Sequence, residues 1–256
     1  MKYLQDFKFN DYKWLNYTTY ILTLKTSEPV AGIEPGNFAE LQIPDAPGVF
    51  LRRPFSILDV DHKKNTLSFY IKIVGKGTQQ LGKLKPGDKV SVIYPLGNSF
   101  TVNGTQKALL VGGGSGVAPF ILLGRKLKQQ GVDITFLLGA RTKEEVLLTE
   151  EFEKLGKVLV TTEDGTMGET GLITQHSVFT GDLTFNKIYT CGPNPMMKAV
   201  ARLAEEKGVP CEASLENMMA CGFGACLCCV TETIHGNKRV CTEGPVFNTK
   251  ELIWLI

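Results

Sequence analysis

A run of cysteines near the end of the chain constrains the fold more than any other feature. Cys221, Cys226 and Cys229 follow one another in a Cys-x4-Cys-x2-Cys spacing, and Cys241 supplies a distant fourth thiol. The segment after Pro210 is short, is punctuated by glycine and holds too few apolar residues for a core of its own. We therefore expect this last segment to need a bound metal centre in order to fold.

The spacing of these cysteines favours a two-iron cluster over zinc. Plant-type [2Fe-2S] clusters use this spacing with one later cysteine, whereas structural zinc sites usually pair two Cys-x2-Cys knuckles, and the second knuckle is missing here. Gly222 and Gly224 would let the loop wrap closely around a cluster, with backbone N–H groups turned toward its sulfur atoms. A zinc site stays the alternative. Cys228, which is next to a predicted ligand, is predicted to be a buried thiol.

Composition argues against several classes of protein. The chain has 256 residues and 43% hydrophobic content, enough to bury a sizeable core. Lys plus Arg total 28 against 26 for Asp plus Glu, without a long basic run, so we expect no nucleic-acid partner. The N-terminus lacks the apolar segment of a signal peptide, and the longest uncharged stretch, 108–124, is broken by glycine and proline, so we expect neither export nor a membrane span. Five of the seven cysteines fall between Cys221 and Cys241, which is unlike a disulfide framework and indicates a reducing cytoplasm.

The rest of the chain shows two patterns of predicted secondary structure, one after the other. Up to about residue 101, short β-rich runs alternate with turn signals such as Pro35-Gly36, a pattern typical of a small antiparallel barrel. From Lys107 to Gly208, strands, a glycine loop and helices alternate, which predicts a parallel sheet with crossover helices. One of these helices is expected over EEVLLTEEFEKLG. The predicted fold class is therefore multidomain α+β, with an antiparallel β-barrel domain at 1–101, an α/β parallel-sheet domain at 102–210 and a small cluster domain at 211–256.

A glycine-rich loop follows the first strand of the second unit. Backbone amides in such a loop approach a phosphate at the start of a helix, and the residues concerned are Gly112, Gly113, Gly114, Ser115 and Gly116. The loop departs from the G-x-G-x-x-G fingerprint, and Arg141 stands where an acidic ribose ligand is expected. Arginine at this position suits the adenosine ribose or the extra phosphate of NADP, so the choice between NAD and NADP stays open, as does a packing loop without a ligand.

Two segments of the barrel carry further anion-binding chemistry. Arg53-Pro-Phe-Ser56 supplies a guanidinium and a hydroxyl, and Gly77-Thr78 supplies glycine-exposed amides about one hairpin later. Each segment alone is more typical of a strand end or a glycine turn. Together they are suited to gripping the pyrophosphate of a flavin.

The order of these motifs resembles the ferredoxin–NADP reductase superfamily over almost the whole chain. Arg53-Pro-Phe-Ser56 comes first, then Gly77-Thr78, then GGGSGVAP, and then CGPNPMM from Cys191. The ending GFGACLCCV narrows the resemblance to the electron-transfer subunits of bacterial type B, NAD-dependent dihydroorotate dehydrogenases.

This resemblance implies the cofactors and the residues that hold them. FAD would be held by Arg53, Pro54, Phe55, Ser56, Tyr70, Ile71, Lys72, Gly77 and Thr78. NAD would lie across the 112–119 loop, with Cys191 and Gly192 on the nicotinamide side. The [2Fe-2S] cluster, on Cys221, Cys226, Cys229 and Cys241, would face a separate FMN-containing catalytic subunit in a heterotetramer of two of each chain.

The function implied is an electron relay without a catalytic side-chain acid or base. Electrons from dihydroorotate oxidation on the partner would pass through the cluster and FAD to NAD+, in de novo synthesis of UMP. One alternative within the enzyme class is a NAD(P)H–ferredoxin or sulfide-type oxidoreductase subunit with the same order of modules. An alternative from another class is a zinc-stapled module that binds nucleotide as a sensor.

Overall fold

The computed structural model describes residues 1–255, so position 256 of the expected third domain lies outside the described residues. The barrel strands are β1 (Tyr3–Asn16), β2 (Thr19–Lys25), β3 (Phe38–Leu41), β4 (Arg53–Asp61), β5 (Thr66–Lys72) and β6 (Lys89–Leu96). The later strands are β7 (Lys107–Gly113), β8 (Asp133–Ala140), β9 (Lys157–Thr162), β10 (Glu169–Thr170), β11 (Lys187–Cys191), β12 (Cys211–Ser214), β13 (Val230–Thr233), β14 (Gly236–Arg239) and β15 (Val246–Asn248). The α-helices are α1 (Lys76–Leu81), α2 (Phe120–Gln129), α3 (Thr149–Glu153), α4 (Asn194–Glu206) and α5 (Val240–Glu243).

The first six strands close an antiparallel barrel in the order β1-β2-β5-β4-β3-β6, which confirms the expected N-terminal architecture. Strand β2 shows why these strands form a barrel. Every second residue of β2, namely Tyr20, Leu22 and Leu24, is fully buried and fills the barrel interior. The long strand β1 pairs with both β2 and β6 and so removes the open edges. Phe7 is its only buried residue, and polar residues interrupt its other apolar ones, so β1 leaves no long hydrophobic run in the sequence.

The second unit is a seven-stranded sheet in the order β10-β9-β8-β7-β11-β12-β15. All neighbouring pairs are parallel except β12 and β15. Residues of β7 alternate between two cores: Ala108 and Leu110 pack with α2, and Leu109 and Val111 pack with α4. The order of the strands reverses between β7 and β11, and ligands of open α/β sheets bind in the crevice at such a point.

One expected helix is largely wrong. Over EEVLLTEEFEKLG the structure has a 3₁₀ turn at Lys143–Glu145 and only the five-residue α3 at Thr149–Glu153. Leu148 lies between them in the left-handed region, with φ of 64°. The side chain of Leu148 is buried in the same core as α2. Tertiary packing of this apolar segment has therefore overridden its helical periodicity.

The C-terminal segment packs against both larger units. Strands β12 and β15 extend the central sheet, whereas β13 and β14 form a separate hairpin next to α5. The buried residues of the C-terminal segment share one core with Phe38 and Leu96 of the barrel and with Met197 of α4. This shared core explains how a segment with few apolar residues is held in place.

Asn98, just after β6, ties the barrel to the segment that follows α5. Its side-chain nitrogen donates to the carbonyls of Glu243 (3.1 Å) and Val246 (2.8 Å), and its side-chain oxygen accepts from the Val246 N–H (2.9 Å). The Asn98 N–H also donates to the Gly244 carbonyl at 2.6 Å. We call these four hydrogen bonds the Asn98 clamp.

Within residues 1–255, the helices are all too short or too polar to cross a lipid bilayer.

Candidate cofactor and nucleotide sites

Two clefts adjoin where the barrel meets the central sheet. The first, of about 400 Å³, is called the barrel cleft here and is lined by Pro54, Phe55 and Ser56 of β4, by Tyr70 and Lys72 of β5, by Thr78 and by Ser115. It therefore brings together residues that the sequence had placed in three separate motifs. Ile71 faces the opposite way and is fully buried in the barrel core, so only its backbone is available to a ligand.

Arg53 and Gly77 also meet, although they lie outside the lining of the cleft. A Cβ added at Gly77 would lie 3.5 Å from Nε of Arg53. The Arg53 guanidinium donates to the carbonyls of Leu51 (2.7 Å) and Arg52 (3.2 Å), and these hydrogen bonds hold it at the start of β4. Glycine thus leaves the arginine and the start of α1 in close contact at one end of the barrel cleft.

The turn that carries Thr78 is fixed by hydrogen bonds. The Thr78 hydroxyl accepts from the N–H groups of Val74 (2.9 Å) and Gly75 (3.2 Å) and donates to the Gly75 carbonyl (3.0 Å). Tyr20, which is fully buried, donates its hydroxyl to the Thr78 carbonyl at 2.7 Å. Tyr20 is a supporting residue that sequence reasoning missed, since nothing in a barrel strand marks which tyrosine hydroxyl reaches a loop.

The second cleft, of about 550 Å³, is called the nucleotide cleft and lies at the carboxyl ends of the parallel strands. Gly113, Gly114 and Arg141 line it, together with Glu145 and Glu163. Lys72 lines both clefts, so the two are continuous at this side chain. This is the arrangement expected for a nucleotide bound next to a flavin at the switch point of the sheet.

The glycines of the 112–116 loop have different structural roles. Gly112 belongs to β7, and Gly114 has φ of 57°, with no atom within 4 Å of the position that a Cβ would take. A Cβ at Gly113 would lie 2.6 Å from the Met196 sulfur. At Gly116 a Cβ would lie 2.3 Å from the carbonyl oxygen of Cys191, so this residue lets the loop pack directly on the end of β11. Gly192, also predicted at this site, has φ of 149° and would bring a Cβ 2.9 Å from the Gly113 carbonyl oxygen.

A chain of charges crosses from one cleft to the other. Glu145 pairs with Lys72 (3.3 Å) and with Arg141 (3.4 Å). Burial opposes ionisation of Glu145, but the hydrogen bond from Lys72 and the charges of Lys72 and Arg141 outweigh it and lower the pKa of this carboxyl. The predicted ribose ligand Arg141 is therefore already paired with an acid that the sequence analysis did not single out.

Cys191 lies at the end of β11 as a buried thiol. Desolvation, followed by the charge of Glu216, raises the pKa of Cys191 well above its ordinary value. Ser214, its partner in the β11–β12 register, hydrogen-bonds to it. Ser214 and Glu216 line the barrel cleft, and neither was a candidate from the sequence.

The four predicted cluster ligands lie in one region and approach one another in pairs. A hydrogen bond joins the side chains of Cys226 and Cys221, and another joins those of Cys229 and Cys241. The Cys241 N–H also donates to the Cys229 sulfur at 3.4 Å. Among residues 1–255 no three His, Cys, Asp or Glu side chains form a group that could hold a metal ion. Two pairs match the needs of a two-iron cluster, in which each iron takes two protein ligands.

The loop also supplies the polar environment that a cluster needs. Burial opposes ionisation of Cys221, but hydrogen bonds from the backbone N–H groups of Phe223, Cys226 and Ala225 and from the Cys226 side chain lower its pKa to about 6. Gly222 and Gly224 have φ of 72° and 92°, which permits this wrapping of amides around a sulfur. The residues present therefore fit a [2Fe-2S] cluster.

The expectation for Cys228 is wrong, because this thiol is exposed. The adjacent Cys229 is buried and packs in the shared core. Leu227, with φ of 59°, turns the chain at this point, so successive side chains diverge. Cys229 rather than Cys228 is thus the residue placed beside Cys241.

Glu40 of β3 lies beneath this loop. It is fully buried, and neither carboxylate oxygen has a hydrogen-bond partner among the described residues. A Cβ at Gly222 would lie 2.8 Å from its carboxyl carbon. Burial, with a further contribution from Cys221, raises the pKa of Glu40 to about 7 against the pull of Arg52. A buried carboxyl thus links a barrel strand to the cluster loop.

Three family models match successive parts of the chain, in the same order as the three parts of the fold. Residues 8–100 match the oxidoreductase FAD-binding domain, residues 110–202 match the oxidoreductase NAD-binding domain, and residues 216–253 match the iron–sulfur cluster binding domain of dihydroorotate dehydrogenase B. The chain thus carries FAD-binding, NAD-binding and iron–sulfur domains in that order.

Solved structures share this architecture. The NADH-dependent reduced ferredoxin–NADP oxidoreductase superposes with a TM-score of 0.87 at 29% identity, covering 97% of this chain and 90% of the other. The ferredoxin reductase of carbazole 1,9a-dioxygenase gives a TM-score of 0.71 at 26% identity, covering 82% and 67%. The ferredoxin reductase-like fold is therefore confirmed.

Three curated relatives narrow the assignment, and each is named dihydroorotate dehydrogenase B (NAD+), electron transfer subunit. The protein of Geobacillus thermodenitrificans is 39% identical over 243 residues, which cover 92% of this chain and 93% of that protein. The protein of Fusobacterium nucleatum is 38% identical over 237 residues, 90% of each chain. The protein of Caldanaerobacter subterraneus is 40% identical over 225 residues, 86% and 87%. The chain therefore belongs to the family of dihydroorotate dehydrogenase B electron transfer subunits.

Proposed function

We propose that this chain carries electrons from dihydroorotate, oxidised on a separate FMN-containing catalytic subunit, to NAD+ in de novo UMP synthesis. One observation supports the proposal above the others: Lys72 lines both clefts, and Phe38 of the barrel cleft packs in one core with Cys229 and Cys241. The relatives of this chain are electron transfer subunits. The assembly proposed is a heterotetramer of two chains of each kind, in the cytoplasm. The proposed domain boundaries are 1–101, 102–210 and 211–256.

The residues that would hold FAD are those of the barrel cleft and its end. FAD supplies the exchange between two-electron hydride transfer and one-electron steps. Arg53 and the amides at Gly77 and Thr78 would bind the pyrophosphate, and the ring would lie in the cleft that Ser56, Tyr70 and Lys72 line. Pro54 and Phe55 provide apolar walls, and Ile71 offers its backbone.

NAD and the [2Fe-2S] cluster would be held by two further sets of residues. Gly113, Gly114 and Arg141 would contact NAD directly, Ser115 borders the barrel cleft, and Gly112, Gly116, Cys191 and Gly192 would shape the loop and the nicotinamide end. Cys221 with Cys226 and Cys229 with Cys241 would each ligate one iron. The chain's task is to position these groups, to exclude water from them and to set their potentials, without a proton-transferring side chain.

A second candidate function is electron exchange between NAD(P)H and ferredoxin. The observation that favours it is the close superposition on the NADH-dependent reduced ferredoxin–NADP oxidoreductase. At 29% identity, that structure is less similar in sequence than the relatives at 38 to 40%.

An anaerobic titration of the protein, co-purified with its native partner, tests the proposal. Iron analysis and the visible spectrum come first, then dihydroorotate is added, and then NAD+. We expect dihydroorotate to bleach the flavin and iron–sulfur bands and NAD+ to restore them. Bleaching by NADH but not by dihydroorotate, with electrons passed to ferredoxin, would support the second candidate, and a colourless zinc protein would contradict both.

A further inference from the structure

Glu216 is an acid in the barrel cleft without a counterion. Among the residues that line this cleft only Lys72 and Glu216 carry charge, and Lys72 is already paired with Glu145 at 3.3 Å. No ion pair within residues 1–255 involves Glu216. The cleft therefore holds one uncompensated carboxyl.

The position of Glu216 in the fold is set by the central sheet. Ser214 ends β12 opposite Cys191, the last residue of β11, and Glu216 follows two residues later. The charge of Glu216 acts on the Cys191 thiol, so the carboxyl lies near the end of β11. Across β11, Cys191 is in register with Gly112 of β7, which places Glu216 beside the switch point of the sheet.

Glu216 lies at the mouth of the barrel cleft, between the solvent and the protein. The side chain reaches solvent through the mouth of the cleft, yet the protein around it desolvates the carboxyl and raises its pKa. A carboxylate that is partly desolvated and has no ion-pair partner gains from a cation placed against it.

Within the bound nucleotide, only the nicotinamide ring changes charge during the reaction. The nicotinamide ring carries a positive charge in NAD+ and none in NADH, whereas the rest of the nucleotide is the same in both. Hydride transfer requires the ring to lie against the flavin, and the predicted nicotinamide end at Cys191 and Gly192 adjoins Glu216.

We propose that Glu216 is a binding residue for the cationic nicotinamide ring of NAD+, and that its carboxylate makes the site prefer NAD+ over NADH. This inference rests on the proposed function, because it takes NAD+ as the electron acceptor. It goes beyond that function in naming the group that favours the acceptor over the product.

The test compares three ligands on the flavin-loaded protein: NAD+, NADH and ADP-ribose, which lacks the nicotinamide ring. Affinities are measured anaerobically from flavin difference spectra for NAD+ and ADP-ribose, and from the KM for NADH with an artificial one-electron acceptor. In Glu216→Gln we expect the Kd of NAD+ to rise about tenfold, the effect of losing about 1.4 kcal/mol. The Kd of ADP-ribose and the KM of NADH should change less than about twofold, because neither ligand presents a cation at this position.

Two further variants separate charge from shape. Glu216→Asp keeps the carboxylate, so it should retain most of the preference for NAD+. Glu232→Gln removes an exposed acid from β13, away from the clefts, and should change none of the three values. The flavin spectrum of each variant confirms that the cofactor is loaded.

Equal losses for NAD+, NADH and ADP-ribose in Glu216→Gln, or an unchanged Kd of NAD+, would overturn the inference. Either result would leave the proposed function standing if the wild-type protein still oxidises NADH. If the wild-type protein neither oxidises NADH nor binds NAD+, the proposed function fails as well, so the two failures are distinguishable.

Discussion

The contact between Gly116 and the end of β11 makes Gly116→Ala a sharp test of the nucleotide site. The added Cβ would lie 2.3 Å from the Cys191 carbonyl oxygen and 2.4 Å from its carbonyl carbon, where ordinary contact begins at 3.4 Å. The loop must therefore retreat by about 1.1 Å, and since the obstructing atoms are backbone, no side-chain rotation relieves the clash. Overpacking of this kind costs about 1–3 kcal/mol, and backbone obstruction favours the upper value.

The retreat would also move the amides of Gly113 and Gly114 relative to Arg141, so binding should suffer along with stability. We expect Gly116→Ala to lower the free energy of unfolding by about 3 kcal/mol, measured by urea denaturation, and to weaken NADH binding at least about tenfold, measured by titration. Gly181→Ala is the matched control, since nothing lies within 4 Å of its added Cβ and its φ is not in the left-handed region. Unchanged stability together with unchanged NADH affinity in Gly116→Ala would refute the packing role of this glycine.

Three other predictions follow from the site. Replacing any one cluster ligand by serine should abolish the iron–sulfur absorption and lower bound iron, whereas Cys228→Ser should leave both unchanged; the ligands are Cys221, Cys226, Cys229 and Cys241. Because its pKa is raised from 4.5 to about 7, Glu40 is protonated in the fold at low pH, and stability is lost as pH rises between these values. Urea unfolding should therefore find Glu40→Gln more stable than wild type by about 3 kcal/mol at pH 8 but similar at pH 4, and parallel pH profiles would contradict this. Tyr20→Phe leaves the Thr78 carbonyl without its buried donor, so it should cost about 1–2 kcal/mol and speed the loss of FAD on dilution; retention of FAD as in wild type would argue against a supporting role for Tyr20.

The sequence predicted the parts of the site that depend on local spacing. The four cysteines, the glycine loop after β7 and the strand runs of β2 to β6 each carry a chemical or periodic signal within a few residues. Gly116 shows the limit of that signal: its glycine is required, but by a contact with Cys191 about 75 positions along the chain rather than by a phosphate.

What the sequence missed depends on contacts between distant elements. Glu40 and Glu216 lie in stretches of ordinary strand or loop, and only the fold brings them to the cluster loop and the barrel cleft. Leu148 contributed to a wrong helix prediction. Its apolar side chain stands at helical spacing in the sequence, but it packs into the core and its backbone is left-handed. Cys228, next to a predicted ligand, was expected to be a buried thiol, but the turn at Leu227 separates it from Cys229 and leaves it exposed.

The Asn98 clamp has a consequence for how fast electrons move within the chain. Tunnelling rates fall exponentially with the separation of donor and acceptor, so small changes in separation alter the rate strongly. The clamp joins the end of a barrel strand to the residues immediately after Cys241, and it does so through four hydrogen bonds. Electron transfer between a cluster on these cysteines and a flavin in the barrel would therefore take place over a fixed distance, without a movement of one domain relative to another.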